Sequence, residues 1–336
     1  MTPASSRRTF IKQSATLGMG LVLPLNAPSM SKTLVGHGTF IYQADAKWGS
    51  LDPQKHPLQH CHEMVLDSRG RLVCSSVSNQ HDVLVYNKDG KLLKAWAHEL
   101  PEPHGLSKVG EGEDQTFWIT DCTEGRVINL DLDGRIIREL DAPPTELLDG
   151  KPYKPTETTV AGNGDIYVTD GYGSNKIFRY DSKGRLQHNF GGSEFFDCSH
   201  GIVLDERTAQ PTLLITSRGA NEFQRWSLDG KQLEVHRLPG LSICRPVIDG
   251  EETYFAVIVT KSWWAYDGMV AVLDRNMKVV SLPGGSAPLD QSDFTGVKYD
   301  NRTFLNPHDV CLDEDKNLYV PQWYSGRTYP LRLRRV

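Results

Sequence analysis

The chain has 336 residues and a net formal charge of −5, with 38% hydrophobic and 9% aromatic residues. Charges of both signs are mixed along it, which argues against a nucleic-acid partner, and no apolar run is long enough for a membrane-spanning helix. With 30 glycines and 19 prolines the chain must contain many turns, which favours a β-rich globular fold.

The first 32 residues differ from the rest. The seven residues from Ser6 to Lys12 (SRRTFIK) match the twin-arginine export signal, and a short, weakly apolar run follows from Ala15 to Leu25. We therefore expect residues 1–32 to be an export leader and residues 33–336 to be a single domain that works in the periplasm or outside the cell. The six cysteines would then meet an oxidising compartment, but their spacing assigns no disulfide.

A repeated unit runs through the remainder of the chain. Each copy opens with an anchor residue at the start of a short strand, and its later strands are joined by X-Gly hairpin turns such as Asp133-Gly134. Successive anchors lie 42 to 63 residues apart, and most of these spacings suit four-stranded propeller blades. The sequence therefore predicts an all-β, six-bladed β-propeller of the NHL-repeat type. The six anchors are His62, His104, Thr156, His200, Arg245 and His308.

The last copy predicts its strands most clearly. We expect a strand from His308 to Leu312, a turn from Asp313 to Asn317 and a second strand that begins at Leu318. The interval before this copy is the longest and contains Trp263 and Trp264. These two side chains either line the mouth of the central channel or close a blade.

Histidines recur at equivalent anchors, namely His104, His200 and His308. The first strand of every propeller blade lines the central channel, so these side chains should converge. Three neutral imidazoles that leave a position open form a zinc-type ligand set. Turn chemistry at the start of a blade explains one such histidine, but three in register favour a metal. His62 is a fourth candidate ligand, and Glu157 is a candidate acid, base or further ligand.

Five short motifs occur in an order that identifies a family. They are Pro103-His104-Gly105-Leu106, Asp170-Gly171-Tyr172-Gly173-Ser174-Asn175, Ser199-His200-Gly201-Ile202, Ser217-Arg218-Gly219 and Pro307-His308-Asp309. In this order they resemble the peptidyl-α-hydroxyglycine α-amidating lyases, over roughly residues 55–325. The resemblance implies a six-bladed propeller that cleaves the N–Cα bond of a peptide ending in α-hydroxyglycine, releasing a peptide amide and glyoxylate.

The resemblance also implies roles for individual residues. Tyr172 resembles the catalytic tyrosine, which near a divalent cation could act as a base, and Arg218 resembles an arginine that faces the substrate and could hold a carboxylate. The catalytic zinc would be held by His104, His200 and His308. A structural calcium in the same channel would be bound by the carboxylate of Asp309 and the main-chain carbonyls of Leu106 and Met64.

The sequence departs from the family pattern at three places. The family has a second active-site arginine. The corresponding residues in this chain, 76–78, are Ser-Val-Ser and include no arginine. The methionine before the last Pro-His-Asp is Asn306, and the cysteine after the tyrosine is Gly173, so the family's disulfide there is missing. These changes affect the implied substrate site more than the metal site. A related lyase acting on another small hydroxylated or carboxylate substrate is therefore an open alternative.

Two other functions remain open from the sequence. One is a calcium-dependent lactonase or hydrolase of the gluconolactonase type, although that class uses acidic and amide ligands where the anchors here are mainly histidines. The other is a non-catalytic NHL propeller that binds a protein or a glycan. For an enzyme we expect a small-molecule or peptide substrate, no nucleic-acid partner and a monomeric chain.

Overall fold

The structure, a computed structural model, describes residues 33–259, 267–300, 303–323 and 328–336. Within those ranges the chain forms 25 β-strands and two short 3-10 helices, at Gly112–Asp114 and Thr145–Leu147. The strands make six antiparallel sheets, and each sheet is one blade of the predicted propeller. The twin-arginine match, Trp263 and Trp264 lie outside the described residues. No helix in the described ranges is long and apolar enough to cross a membrane.

The strands follow one another blade by blade. The chain begins with β1 (Leu34–His37) and β2 (Phe40–Asp45). Blade 1 contains β3 (His60–Leu66), β4 (Leu72–Val77), β5 (Val83–Tyr86) and β6 (Leu92–Trp96). Blade 2 contains β7 (Pro103–Val109), β8 (Thr116–Asp121), β9 (Arg126–Asp131) and β10 (Ile136–Glu139). Blade 3 contains β11 (Glu157–Val160), β12 (Ile166–Thr169), β13 (Lys176–Tyr180) and β14 (Leu186–Gly191).

The second half of the ring continues the pattern. Blade 4 contains β15 (Ser199–Asp205), β16 (Thr212–Ser217), β17 (Glu222–Ser227) and β18 (Gln232–Arg237). Blade 5 contains β19 (Ser242–Asp249), β20 (Glu252–Val259), β21 (Met269–Leu273) and β22 (Val279–Ser281). Blade 6 contains β23 (Cys311–Leu312), β24 (Leu318–Val320) and β25 (Leu331–Arg335), and β2 and β1 complete it.

Glycine makes the tight turns between the third and fourth strands of blades 1 to 4. Gly90, Gly134, Gly184 and Gly230 have φ between 79° and 86°. This left-handed region suits glycine because it lacks a Cβ atom. The predicted X-Gly hairpins are confirmed at these four places.

The ring is closed by strands from the two ends of the described chain. Strand β2 pairs antiparallel with β25, with Tyr42 opposite Arg335. The Arg335 guanidinium donates a hydrogen bond of 2.8 Å to the Tyr42 hydroxyl. Because this pairing joins residues far apart in sequence, it fastens blade 6 and holds the ring of inner strands together.

Apolar clusters fill the spaces between neighbouring blades. One cluster packs Tyr167 and Ile177 of blade 3 against Leu213 and Trp226 of blade 4. Trp226 is only 2% exposed. Truncating such a side chain to alanine typically costs about 3–5 kcal/mol, so these clusters are a main source of the rigidity of the inner strands.

The innermost strand of blade 6 is shorter than the sequence predicts. Strand β23 covers only Cys311–Leu312, although β24 does begin at Leu318. Upstream, Pro307 pairs with Gln322 through an isolated bridge, and Asn306 has a φ of 55°. Between the Pro307–Gln322 bridge and the Cys311–Tyr319 pair the register shifts by one residue, so regular pairing resumes only at Cys311. The predicted strand starting at His308 is therefore wrong.

Candidate metal centre

The inner strands of four blades carry a β-bulge at the same point. The pairing register shifts between Cys61 and Met64, between Pro103 and Leu106, between Ser199 and Ile202, and between Ile243 and Pro246. A bulge sets two residues opposite one on the partner strand and re-aims their side chains. The first bulge residues are His62, His104, His200 and Cys244, and the second are Glu63, Gly105, Gly201 and Arg245.

Hydroxyl groups on the second strand hold these bulges in place. The N–H of Glu63 donates to the Ser75 hydroxyl at 2.9 Å. In blades 2 and 4 the N–H groups of Gly105 and Gly201 donate to threonine hydroxyls in the same way, both at 2.8 Å. The bulges of blades 1, 2 and 4 are therefore each held by a serine or threonine, which fixes the direction of the residues they carry.

The bulges create two levels of side chains at the propeller axis. We call the first level the histidine tier; it comprises His62, His104, His200, Cys244 and His308. We call the second level the charged tier; it comprises Glu63, Glu157, Arg245 and Asp309.

The structure corrects one anchor by a single residue. The sequence repeat sets Arg245 in register with the histidines, but the bulge of blade 5 gives that place to Cys244. One ligand atom each of His200, Cys244 and His308 lie within 4.8 Å of one another. Arg245 instead belongs to the charged tier. The repeat misplaced this anchor because blade 5 has no histidine to set the register, and Cys244 takes that place.

Four imidazoles meet in the histidine tier. Their neighbouring ring centroids are 4.6 to 4.9 Å apart, and the Nε2 atoms of His104 and His200 are 3.2 Å apart. Each of the four residues is at most 1% exposed. The structure therefore brings the three predicted ligands together and places His62 among them.

Hydrogen bonds to main-chain carbonyls orient three of these rings. Nδ1 of His62 lies 2.8 Å from the carbonyl oxygen of Pro103, and Nδ1 of His104 lies 2.8 Å from that of Thr156. Nδ1 of His308 lies 3.1 Å from the carbonyl oxygen of His62. A carbonyl only accepts, so each Nδ1 carries the proton and each Nε2 keeps a lone pair. This second layer is typical of metal-binding histidines.

The four histidines are neutral at pH 7. Burial lowers the pKa of His104 to about 3. Burial, reinforced by the neighbouring histidines, also holds the pKa of His62, His200 and His308 well below the usual value. Metals bind the neutral imidazole, so the tier is already in its ligating protonation state. Buried neutral imidazoles beside a thiol fit a zinc-type ion.

Tyr172 lies against the same nitrogen atoms, and Arg218 contacts Tyr172. The Tyr172 hydroxyl is 3.1 Å from Nε2 of His104 and 3.2 Å from Nε2 of His200. The Arg218 guanidinium donates to this hydroxyl at 3.0 Å. Burial raises the pKa of Tyr172, and the positive charge of Arg218 opposes that rise. Both residues that the resemblance implied for catalysis thus reach the histidine tier.

A further pair at the edge of the tier was not predicted. Nε2 of His60 is 3.1 Å from the Glu102 carboxylate, which also lies 3.7 Å from Nε2 of His62. Burial raises the pKa of Glu102, but the pKa is lowered overall, chiefly by the hydrogen bond with His60. Glu102 is therefore an anion beside the tier. The signal that could have revealed it is its place two residues before His104, at the start of the same blade.

The position of the missing family arginine contains no cation. Residues 76–78 lie at the end of β4 and just beyond it, and Ser76 is buried. The Ser76 hydroxyl is 3.1 Å from Nδ1 of His81. Of the two active-site arginines that the resemblance implies, the described residues place Arg218 beside the histidine tier.

The oxygen atoms assigned to calcium do converge, but they surround a guanidinium. Arg245 donates to the carbonyl oxygens of Leu106 and Met64, at 2.8 and 3.3 Å, and to Asp309 at 2.5 and 3.2 Å. Glu157, the other candidate, points to the same guanidinium at 3.7 Å. Calcium binds oxygen at about 2.3–2.6 Å, so it would overlap Arg245. The residues present therefore do not fit a calcium ion at this place.

The cysteines make no crosslink. All six lie in the described ranges and are unpaired. Burial raises the pKa of the Cys244 thiol to about 12, while Arg218 opposes that rise. In the absence of a metal this thiol is protonated at neutral pH.

Comparison with known proteins gives the chain its relatives. No family model matches it. It is 30% identical over 273 residues to a probable peptidyl-alpha-hydroxyglycine alpha-amidating lyase of Caenorhabditis elegans, covering 76% of this chain and 71% of that protein. It is 26% identical to human NHL repeat-containing protein 3, covering 56% of this chain. The alignment spans only 57% of the length of that human relative.

Solved structures support the fold. A streptogramin B lyase aligns with a TM-score of 0.53 at 14% identity, covering 83% of this chain and 94% of that one. A catalytically inactive virginiamycin B lyase from Staphylococcus aureus aligns with a TM-score of 0.52 at 16% identity, covering 82% and 80%. At such low identity these matches speak for the propeller alone. The nematode relative, by contrast, shows that the chain belongs to the peptidyl-alpha-hydroxyglycine alpha-amidating lyase family of NHL-repeat β-propellers.

Proposed function

We propose that the chain is a zinc-dependent lyase that cleaves the N–Cα bond of peptides ending in α-hydroxyglycine. The observation that supports this most is the meeting of four buried, neutral imidazoles with the Tyr172 hydroxyl and the Arg218 guanidinium. The family relatives named as amidating lyases agree with it.

The zinc would be held by imidazoles of the histidine tier. His104 and His308, which the sequence predicted, donate their Nδ1 protons to carbonyl oxygens and so have unprotonated Nε2 atoms. His62 shares both properties, so it joins the proposed ligand set beside His200. When bound, zinc supplies positive charge that favours the deprotonated form of a substrate hydroxyl.

Tyr172 is the proposed acid and base. With zinc bound, the metal charge and the Arg218 guanidinium at 3.0 Å would together favour the phenolate form of Tyr172, which accepts the proton of the substrate hydroxyl. The resulting C–O⁻ group becomes the aldehyde of glyoxylate as the N–Cα bond breaks and its electron pair moves to nitrogen. Tyr172 then returns the proton to that nitrogen, which completes the peptide amide and restores the phenolate.

A second candidate substrate class follows from the charges around the site. An α-hydroxyglycine peptide carries a carboxylate, for which residues 76–78 offer no cation, and Glu102 is an anion close to His62. Among the described residues, Arg218 is the arginine placed to bind that carboxylate, and it also contacts Tyr172. These features favour an alternative function, that of a related lyase. Its hydroxylated substrate would have a neutral group where the family substrate has a carboxylate.

The test combines metal content with product analysis. The full chain is purified, its zinc is measured by elemental analysis, and glyoxylate release is assayed from a peptide ending in α-hydroxyglycine. We expect stoichiometric zinc and glyoxylate release that Tyr172→Phe slows by about 10²–10⁴-fold while zinc is retained. Zinc without glyoxylate would reject this reaction in favour of the related lyase, and calcium alone would favour the lactonase alternative. A chain that binds neither metal would favour the non-catalytic propeller.

We also propose that the chain is exported through the twin-arginine pathway. The proposal rests on the match from Ser6 to Lys12. Replacing both arginines by lysine (Arg7→Lys with Arg8→Lys) should leave the protein in the cytoplasm of a bacterial host. An unchanged distribution between cytoplasm and periplasm would contradict this route.

A further inference from the structure

Arg245 ties most of the ring together at the axis. It lies on β19 of blade 5 and is 7% exposed. Its guanidinium donates to Met64 of blade 1, to Leu106 of blade 2 and to Asp309 of blade 6. The Glu157 carboxylate of blade 3 lies 3.7 Å away. One side chain thus makes polar contacts with four blades besides its own.

The surroundings of Arg245 are those of a cation site. Three carboxylates face the guanidinium, at 2.5 Å for Asp309, 3.5 Å for Glu63 and 3.7 Å for Glu157. Two main-chain carbonyl oxygens complete the shell. Carboxylate and carbonyl oxygens are the donors that a hard divalent cation takes, but here a fixed organic cation meets them.

Glycines leave the space that this cation needs. A Cβ atom at Gly201 would lie 2.5 Å from the Cα atom of Arg245. A Cβ atom at Gly105 would lie 2.8 Å from the Cα atom of Glu157. Blades 2 and 4 therefore add no side chain to the charged tier, and the main chains of neighbouring blades come close enough for the Arg245 contacts to form.

We propose that Arg245 is a built-in cation that replaces a structural calcium ion at the propeller axis. The ring is then held at this point without a bound metal. The inference concerns the charged tier only and does not depend on the reaction proposed for the histidine tier. It also makes a positive prediction, because removing the guanidinium leaves an oxygen-lined site that calcium can enter.

Added calcium can reach the charged tier through a cavity beside it. Arg245 and Met64 line a cavity of about 660 Å³, together with Lys108 and Asp249, on the side of the channel where the inner strands end. A buried carboxylate oxygen on each of Glu63 and Glu157 has no hydrogen-bond partner. Added calcium therefore has a route to the charged tier, and oxygen donors are present once the guanidinium is gone.

The first experiment compares melting of the wild-type chain in calcium-free buffer, in millimolar calcium and in millimolar magnesium. We expect the same Tm in all three, and no calcium in the purified protein by elemental analysis. A structural calcium site would behave differently, since saturation at about 100 times Kd would raise Tm by about 5 °C. Calcium retained by the wild-type chain, or a rise of that size with calcium alone, would overturn the proposal.

The second experiment removes the guanidinium. Arg245→Ala should melt lower than wild type without calcium, and calcium but not magnesium should raise its Tm by about 5 °C. Arg245→Gln, which leaves a smaller void and adds an amide oxygen, should respond in the same direction. The matched control is Arg225→Ala, because Arg225 is also 7% exposed and is ion-paired with Asp205 at 2.9 Å.

The control separates a cation site from simple loss of a buried arginine. Arg225→Ala should also melt lower, but without any response to calcium. A folded Arg245 variant that ignores calcium would refute the proposal, as would an equal calcium response in Arg225→Ala. If Arg245→Ala folds only when calcium is present, that result supports it.

Discussion

The histidine tier and the charged tier are built from consecutive residues of the same bulges, yet they meet a cation in opposite ways. His62 and Glu63 are neighbours in blade 1, as Cys244 and Arg245 are in blade 5. The histidine tier offers the lone pairs of neutral imidazoles and includes no cationic side chain. The charged tier instead surrounds the Arg245 guanidinium with carboxylates. The main-chain geometry therefore fixes where a cation site lies, and the side chains decide whether the cation is bound or supplied by the chain.

This difference separates function from stability. Loss of a ligand in the histidine tier should remove metal and activity while the fold persists, because its rings are held by separate main-chain contacts. Loss of a partner in the charged tier should lower stability, because it leaves a buried charge without compensation.

The largest expected effect is that of His104→Ala. The variant should lose its zinc and with it all glyoxylate release above background, because His104 contributes an oriented Nε2 at the centre of the tier. Elemental analysis and the glyoxylate assay measure the two losses. The fold should remain, with a β-sheet circular dichroism spectrum like that of wild type. Full retention of zinc would remove His104 from the ligand set.

Tyr172→Phe tests the catalytic step without disturbing the metal. We expect kcat to fall by about 10²–10⁴-fold, which is the usual contribution of an acid or base, with zinc content unchanged. The hydroxyl is lost but the ring still packs beside His104, with ring centroids 5.1 Å apart. A variant that keeps most of its kcat would show that another group moves the proton, and Glu102 would be the next candidate.

Asp309→Ala addresses the charged tier. It removes the closest carboxylate of Arg245 and the acceptor of the Met64 N–H, which lies 3.0 Å from Asp309. Breaking a buried ion pair from one side typically lowers the free energy of unfolding by about 3–5 kcal/mol. Urea denaturation measures this change, and zinc content should stay at the wild-type level. Equal stability with loss of zinc would reverse the roles that we assign to the two tiers.

The fold could be predicted from the sequence because the repeat is regular, but the site could be predicted only in part. Three histidines, Tyr172 and Arg218 converge as the motifs imply. The assignment of Arg245 failed by one residue because blade 5 has no histidine to set the register, and Cys244 takes that place. Contacts between residues far apart in sequence could not be predicted either. Neither the pairing of β2 with β25 nor the approach of Glu102 to His62 produces a local sequence pattern.

The stability of the protein should depend on pH through ion pairs that lie outside the two tiers. Burial raises the pKa of Asp205, but the guanidinium groups of Arg207 and Arg225 outweigh it and lower the pKa to about 2. This carboxylate is charged in the unfolded chain above its ordinary pKa of about 3.9 and in the folded chain down to about 2. The stabilisation that the Asp205 charge gives is therefore complete above the pKa of Asp205 in the unfolded chain. It is lost as pH falls through the pKa of Asp205 in the folded chain.

Asp205→Asn should remove that contribution. At neutral pH the variant should unfold about 1.5–3 kcal/mol more easily than wild type, the usual value of hydrogen bonds to a charged group. The difference between the two proteins should shrink as pH is lowered toward 2, where wild type also loses the charge. Urea denaturation across this pH range measures it. A difference that stays constant with pH would contradict the role of the Asp205 charge.

Thr216→Val should have the smallest effect and tests how the bulges support the histidine tier. The variant keeps the shape of the side chain but removes the hydroxyl that accepts the Gly201 N–H at 2.8 Å. Leaving that buried N–H without a partner costs about 1–3 kcal/mol. His200 lies beside Gly201 in the same bulge, so zinc affinity should weaken by about 10-fold, as it does when a supporting group of a metal ligand is lost.

Competition with a zinc-binding dye measures this affinity. The control is Thr212→Val, because Thr212 lies at the other end of the same strand and contacts Arg225. A loss of stability without any loss of zinc affinity in Thr216→Val would show that the bulge supports the strand but not the orientation of its histidine.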